Sequence, residues 1–86
     1  MSTYTEISGR IEYIDSDRGA VFLRLKGDTI EYAFRSSYNY EYKPYSIESF
    51  LQINDSISKP YNSDTIYIYR DKFEFYFIIG EIINKP

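Results

Sequence analysis

The sequence predicts a mainly β, antiparallel domain with one short helix near residues 46–52, and three observations carry that prediction. Aromatic residues make up 20% of the chain, with eleven Tyr and six Phe, and such rings bury large areas and favour strands over helices. Thr65 to Ile79 holds two strictly alternating apolar runs joined at Asp71-Lys72, the period-two signature of a β-hairpin. At 86 residues the chain has room for one domain, 1–86, around a single core.

In the first strand Ile7, Gly9, Ile11 and Tyr13 alternate with Glu6, Ser8, Arg10 and Glu12, and the glycine predicts a bend or the close approach of another backbone. Asp15-Ser16-Asp17-Arg18-Gly19 then closes a loop. Val21, Leu23 and Leu25 form the inner face of a second strand, and Ile30, Tyr32 and Phe34 that of a third. A turn at Gly27-Asp28 pairs Leu25 with Ile30, Leu23 with Tyr32 and Val21 with Phe34, and sets Arg24 opposite Glu31 outside, so apolar faces and charges agree on one register.

Ser36 to Tyr45 is too polar for a buried strand and passes through Pro44, which predicts an extended connection carrying Tyr38, Tyr40, Tyr42 and Tyr45. Ser46 can cap a short helix, Glu48 suits its first turn, and Ile47, Phe50 and Leu51 share one face. Asn54-Asp55 ends the helix, Ile57 marks a brief fourth strand, and Tyr61-Asn62-Ser63-Asp64 turns into the terminal hairpin.

With Asp71 and Lys72 as the two turn residues, Arg70 faces Phe73, Ile68 faces Phe75 and Ile66 faces Phe77, while Tyr69 faces Glu74 and Tyr67 faces Tyr76. The Ile and Phe side is then buried, and Thr65, Tyr67, Tyr69 and Tyr76 line the outer face. Asp-Lys lacks the glycine that the tightest turns favour; a three-residue loop would shift the register by one and set tyrosines against phenylalanines. A small antiparallel barrel of five to six strands explains the order of elements economically, because closure hides unpaired edges. An OB-like barrel places its helix between the third and fourth strands; an SH3-like barrel or an open sheet packed on the helix fits the same order.

Asn54-Asp55-Ser56-Ile57-Ser58-Lys59, followed by the alternating run Thr65 to Arg70 and preceded by the Gly-containing strand Ser8-Gly9-Arg10-Ile11, resembles a pattern of small, mostly uncharacterised bacterial β-rich proteins. Their motif is a Gly-Asp-Ser-Ile-x-Lys turn and strand, with Asn54 here in the glycine position. Asparagine tolerates a left-handed backbone, so the turn is expected to survive. The resemblance implies an envelope or lipoprotein type of module and brings no catalytic residues with it.

The chain has no histidine, cysteine or tryptophan, which removes disulfides, thiolate nucleophiles and the usual zinc ligands. Thirteen acidic against ten basic residues leave a net charge of −3, an ordinary soluble surface with both signs interspersed. No leader-like segment precedes the fold, and the longest apolar run, Phe75 to Ile79, is far short of the roughly 20 residues of a membrane span. A soluble chain is expected, with cytoplasmic and exported or envelope locations both open, since a leader removed upstream leaves no trace.

Tyr38, Tyr40, Tyr42, Tyr67, Tyr69 and Tyr76 are the candidate contact surface for a sugar, a peptide or a protein partner, because tyrosine joins a rigid apolar ring to a polar tip. Tyrosine also suits the outer face of any strand, which is the plainer reading. Arg10, Arg24, Lys26, Arg35 and Lys43 are interleaved with Glu12, Glu31 and Glu41, a pattern that disfavours nucleic acid. Asp15 to Gly19 lacks the third acidic position and distal Glu of a calcium loop. Lys59, Asp55, Asp64, Ser56, Ser58 and Ser63 lie close in sequence, and a Ser-Lys pair can act as a nucleophile when its lysine is desolvated, but their spacing demands only turns. The expectation is a non-catalytic binding or protein-interaction module with no catalytic residue, metal ligand or cofactor. The alternative is single-stranded nucleic-acid or oligosaccharide binding by an OB-like barrel. The apolar C-terminal strand, continuing through Ile82 and Ile83, offers an edge for a homodimer.

Overall fold

Period-two alternation becomes a six-stranded antiparallel sheet in the computed structural model, which describes residues 2–86. Along the chain lie β1 (Ile7–Asp17), β2 (Ala20–Leu25), β3 (Glu31–Arg35), β4 (Tyr38–Asn39), α1 (Ile47–Phe50), β5 (Ser56–Lys59), β6 (Thr65–Arg70), β7 (Phe73–Ile78) and β8 (Ile82–Ile83). The sheet order is β3-β2-β1-β5-β6-β7, and β4 and β8 form a separate parallel pair.

The long β1 serves two neighbours: Ile7 to Arg10 pair with β5, and Ile11 to Asp17 with β2. Its inner face is crowded at Gly9, where a Cβ would stand 3.1 Å from Leu25 Cδ1; the close neighbour is a side chain and not the backbone that the glycine predicts. Ile11 lies opposite Leu25 and Tyr13 opposite Arg24, so Glu12 is an extra residue in the ladder. This bulge flips the alternation. Ile14 then packs on the core, and Tyr13, expected inside, is exposed with the Arg24 guanidinium 4.5 Å above its ring. The loop after β1 is shorter than expected, because the ladder continues to Asp17 and only Arg18 and Gly19 turn, both at positive φ (50° and 82°).

Between β2 and β3 the expected register forms, with Val21 opposite Phe34, Leu23 opposite Tyr32 and Arg24 opposite Glu31. The ladder stops there, and Ile30, expected on the inner face, is 54% exposed. The Asp28 carboxylate fixes the turn by accepting the Ile30 N–H at 3.0 Å and the Tyr32 hydroxyl at 2.9 Å. Between β6 and β7 all five predicted pairs form, and Thr65 opposite Ile78 adds a sixth. Asp71, at φ 57°, adopts the left-handed backbone that glycine would otherwise supply. Ile66, Ile68 and Phe77 are fully buried, while Phe73 at the tip is exposed.

The expected barrel does not close: β3 and β7 are the two edges of the sheet. Gly80, at φ 76°, turns the chain away after β7, and Ile82 and Ile83 pair in parallel with Tyr38 and Asn39. The C-terminal apolar segment is thus engaged within its own chain. The helix is also shorter than 46–52. Leu51 is already extended at ψ 145°, and a turn closed by the Asp55 N–H on the Gln52 carbonyl, with Asn54 at φ 78°, follows at once. Ile47, Phe50 and Leu51 are buried as their shared face requires. No described helix is long and apolar enough to cross a membrane.

Candidate functional site

The strand registers combine into two rows across the outer face of the sheet. Ser8 stands opposite Ser58, Ser58 opposite Tyr67, and Tyr67 opposite Tyr76; one step along, Arg10 stands opposite Ser56, Ser56 opposite Tyr69, and Tyr69 opposite Glu74. These positions alternate with buried Ile57, Ile66, Ile68 and Phe77, so they point away from the core. Short serine side chains between Arg10 and the tyrosine rings leave a trough. Two clefts of about 520 and 300 Å³ open there and share Arg10, Ser56 and Tyr69; the first extends to Gln52, Asn54, Asp55 and Arg70, the second to Ser8 and Ser58.

The two arginines of this face differ in their commitments. Arg70 donates from Nε to Asp55 Oδ1 at 2.8 Å, from Nη2 to Asp55 Oδ2 at 2.7 Å and from Nη2 to the Phe50 carbonyl at 2.7 Å. The Asp55 hydrogen bonds hold its guanidinium above the ordinary arginine value, against the effect of burial. Arg10 is exposed and makes no ion pair or side-chain hydrogen bond with a described residue. The Glu74 carboxylate, as hydrogen-bond partner, raises the Tyr69 phenol above its usual value.

Of the six candidate tyrosines, Tyr67, Tyr69 and Tyr76 share this outer face, and Tyr69 is the most open at 41%. Tyr38 and Tyr40 form a second group with Tyr45, with ring centroids 6.4 Å apart in the first pair and 4.6 Å between Tyr40 and Tyr45. Tyr42 departs from the expected surface. Its ring packs on Phe75 at 5.1 Å, Phe50 at 5.3 Å and Phe77 at 5.7 Å, so it extends the core. The chain between β3 and α1 pairs with β8 only at Tyr38 and Asn39, and beyond those two residues strand alternation no longer fixes which way a side chain points.

Asn39 and Tyr42 together cover the middle of the β7 edge. The Tyr76 carbonyl accepts Asn39 Nδ2 at 2.9 Å, and the Tyr76 N–H donates to the Tyr42 hydroxyl at 3.2 Å. Asn39, fully buried, also accepts the Glu41 N–H and Asn84 Nδ2, each at 3.0 Å. An edge strand whose polar groups are occupied in this way is a poor template for another strand.

Of the residues that suggested Ser-Lys chemistry, Ser63 and Asp64 gather with Lys59 around Thr3, whereas Ser58 lies on the other face. Ser58 and Lys59 are adjacent in β5 and therefore point to opposite faces. Lys59 is fully buried at the end of the core, and its ammonium donates to the carbonyls of Thr3 at 2.9 Å, Pro60 at 3.1 Å and Thr5. Burial lowers its pKa, with Asp64 and Glu6 acting in the opposite direction. Asp64 accepts the Thr3 hydroxyl at 2.6 Å, and Ser63 Oγ accepts the Thr65 N–H at 3.1 Å. Asp55 serves Arg70 and the Gln52 N–H. Among the described residues no group of three or more carboxylates is placed to hold a metal ion.

No protein-family model, curated protein or solved structure matches this chain. The site therefore rests on its own geometry, and sequence reasoning had missed its floor. The available signal was Ser56-x-Ser58 around buried Ile57, two small polar positions on the same side of the strand as Tyr67 and Tyr69.

Proposed function

We propose that this chain is a non-catalytic binding module that engages its ligand or partner through the outer face of β1, β5, β6 and β7. One observation carries the reading: two clefts meet at Arg10, Ser56 and Tyr69, joining an uncommitted cation, a hydroxyl floor and an open aromatic ring. Concave surfaces with a few convergent polar groups are the usual form of a ligand site. The non-catalytic part draws support from Lys59, whose amine is occupied by three carbonyls. In chain order the helix lies between β3 and β5, the third and fourth strands to join the six-stranded sheet, and β1 is shared between β2 and β5, features that favour an opened OB-like arrangement by analogy.

The test is an NMR titration of the labelled chain with cellohexaose, decathymidylate and a proline-rich peptide as probes. Shifts centred on Ser8, Arg10, Ser56, Ser58, Tyr67 and Tyr69, lost in Tyr69→Ala, are expected for at least one of them. Shifts confined to Tyr38, Tyr40 and Tyr45, or none, count against this face. A nucleic-acid ligand would reveal itself by steep weakening with salt.

A further inference from the structure

We infer that the trough takes an acidic oligosaccharide, one whose carboxylates are spaced by neutral sugars, with Arg10 as the partner of a carboxylate. This inference rests on the binding face proposed above and names its ligand class. The charge at the site sets the sign of the ligand. Two guanidinium groups line the larger cleft, but Arg70 is neutralised by Asp55 at 2.7 Å, whereas Arg10 is exposed and has no acidic partner among the described residues. Guanidinium presents a planar fork that matches a carboxylate with two parallel hydrogen bonds.

The floor sets the rest of the chemistry. Ser8, Ser56 and Ser58 stand on neighbouring strands, and each hydroxyl both donates and accepts, as sugar hydroxyls do. An apolar ligand would leave those groups without partners at a cost. Tyr69, half open beside Ser56, offers an apolar ring on which the C–H face of a pyranose can lie. The same cleft limits how much negative charge it accepts, because Asp71 lines it and Glu74 stands opposite Tyr69. A phosphodiester at every unit would need several cations, and Arg10 is the uncommitted one here.

Hyaluronan hexasaccharide, its carboxyl-methyl-ester form and neutral cellohexaose, titrated by calorimetry and NMR, separate these contributions. The acid is expected to bind about tenfold more tightly than its ester, a difference worth one charge-assisted hydrogen bond. Arg10→Gln should abolish that preference, so that acid and ester bind alike, whereas Tyr69→Ala should weaken both forms. Both side chains are exposed, and an unchanged spectrum elsewhere verifies the fold of each variant. Equal affinity for acid and ester, or an Arg10→Gln variant that keeps the preference, overturns the acidic-sugar assignment. In that case binding of either form that still depends on Tyr69 keeps the face itself. Tighter binding of decathymidylate than of hyaluronan, or no response to any sugar, also overturns the assignment.

Discussion

Arg70 grips Asp55 through two parallel hydrogen bonds, Nε to Oδ1 at 2.8 Å and Nη2 to Oδ2 at 2.7 Å, and so ties the end of the last hairpin to the turn that follows α1. Asp55 is 3% exposed and Arg70 25%, and the guanidinium rests 4.7 Å above the Phe50 ring. Removing the acid strands a partly buried cation, which costs about 3–5 kcal/mol in enclosed pairs. Because water still reaches Arg70, Asp55→Ala is expected near the lower end of that range. Arg70→Lys keeps the charge but loses the fork, at about 1.5–3 kcal/mol. Urea denaturation with an unchanged slope measures both. A lysine variant within about 0.5 kcal/mol of the wild type, the scatter of ordinary surface substitutions, would show that charge alone holds the turn.

Lys59 performs a similar task at the other end of β5. Its ammonium gathers the carbonyls of Thr3, Thr5 and Pro60, and the Ser63 N–H donates to the same Thr3 carbonyl. Lys59→Met preserves the apolar stem, removes the ammonium from all three carbonyls and leaves that of Thr3 only the Ser63 N–H. We expect a loss of about 1–3 kcal/mol, the cost of unsatisfied buried groups, together with faster amide exchange at Thr5 and Ser63. If stability instead rises, as when a buried charge gives way to a well-packed hydrophobe, the ammonium is not what orders the N-terminal segment.

Buried Asn39 joins β4, β7 and Asn84 through three hydrogen bonds. Asn39→Ala frees the Tyr76 carbonyl on the edge of β7, and unpaired edge groups invite strand pairing between chains. The variant should lose about 1–3 kcal/mol and gain concentration-dependent mass by light scattering. A destabilised variant that stays monomeric at high concentration would mean that the edge remains covered by other means.

The legible parts of this fold are those in which two independent patterns agree. In Thr65 to Ile79 apolar side chains alternate on both strands, and between β2 and β3 the charges Arg24 and Glu31 confirm what Val21, Leu23, Tyr32 and Phe34 suggest. The bulge at Glu12 left no such trace, because Glu12 and Tyr13 simply continue the polar-apolar alternation. Asp55 and Arg70 were hidden by distance along the chain, since each has an ordinary local explanation in a turn and at a strand end. Of the candidate site, Tyr67, Tyr69 and Tyr76 were readable from hairpin parity. The trough beside them needed the β1–β5–β6 register, which no single strand encodes. Tyr42 was misplaced for the converse reason: its position depends on contacts with Phe50 and Phe75 rather than on a ladder.

That same placement gives Tyr42 a pH signature. Burial, the largest effect, raises its phenol above the usual 10.0; the Tyr76 N–H bond opposes the shift, and the charges of Glu41 and Glu74 reinforce it. A group whose folded pKa exceeds its unfolded value contributes stability that is whole below pH 10.0 and is lost as pH climbs through the raised folded value. Tyr42→Phe should cost about 1 kcal/mol at neutral pH, because the Tyr76 N–H loses its acceptor, and should then decline less steeply above pH 10.0. Tyr32 and Tyr69 are also raised and Lys59 is lowered, but these titrate in both proteins and cancel in the difference. Denaturation midpoints collected from neutral to alkaline pH, with tyrosinate absorbance followed alongside, provide the comparison. Parallel alkaline slopes for the two proteins would mean that Tyr42 ionises as freely in the folded chain as in the unfolded one, and its phenol would then have to be placed in water rather than against Phe75 and Phe77.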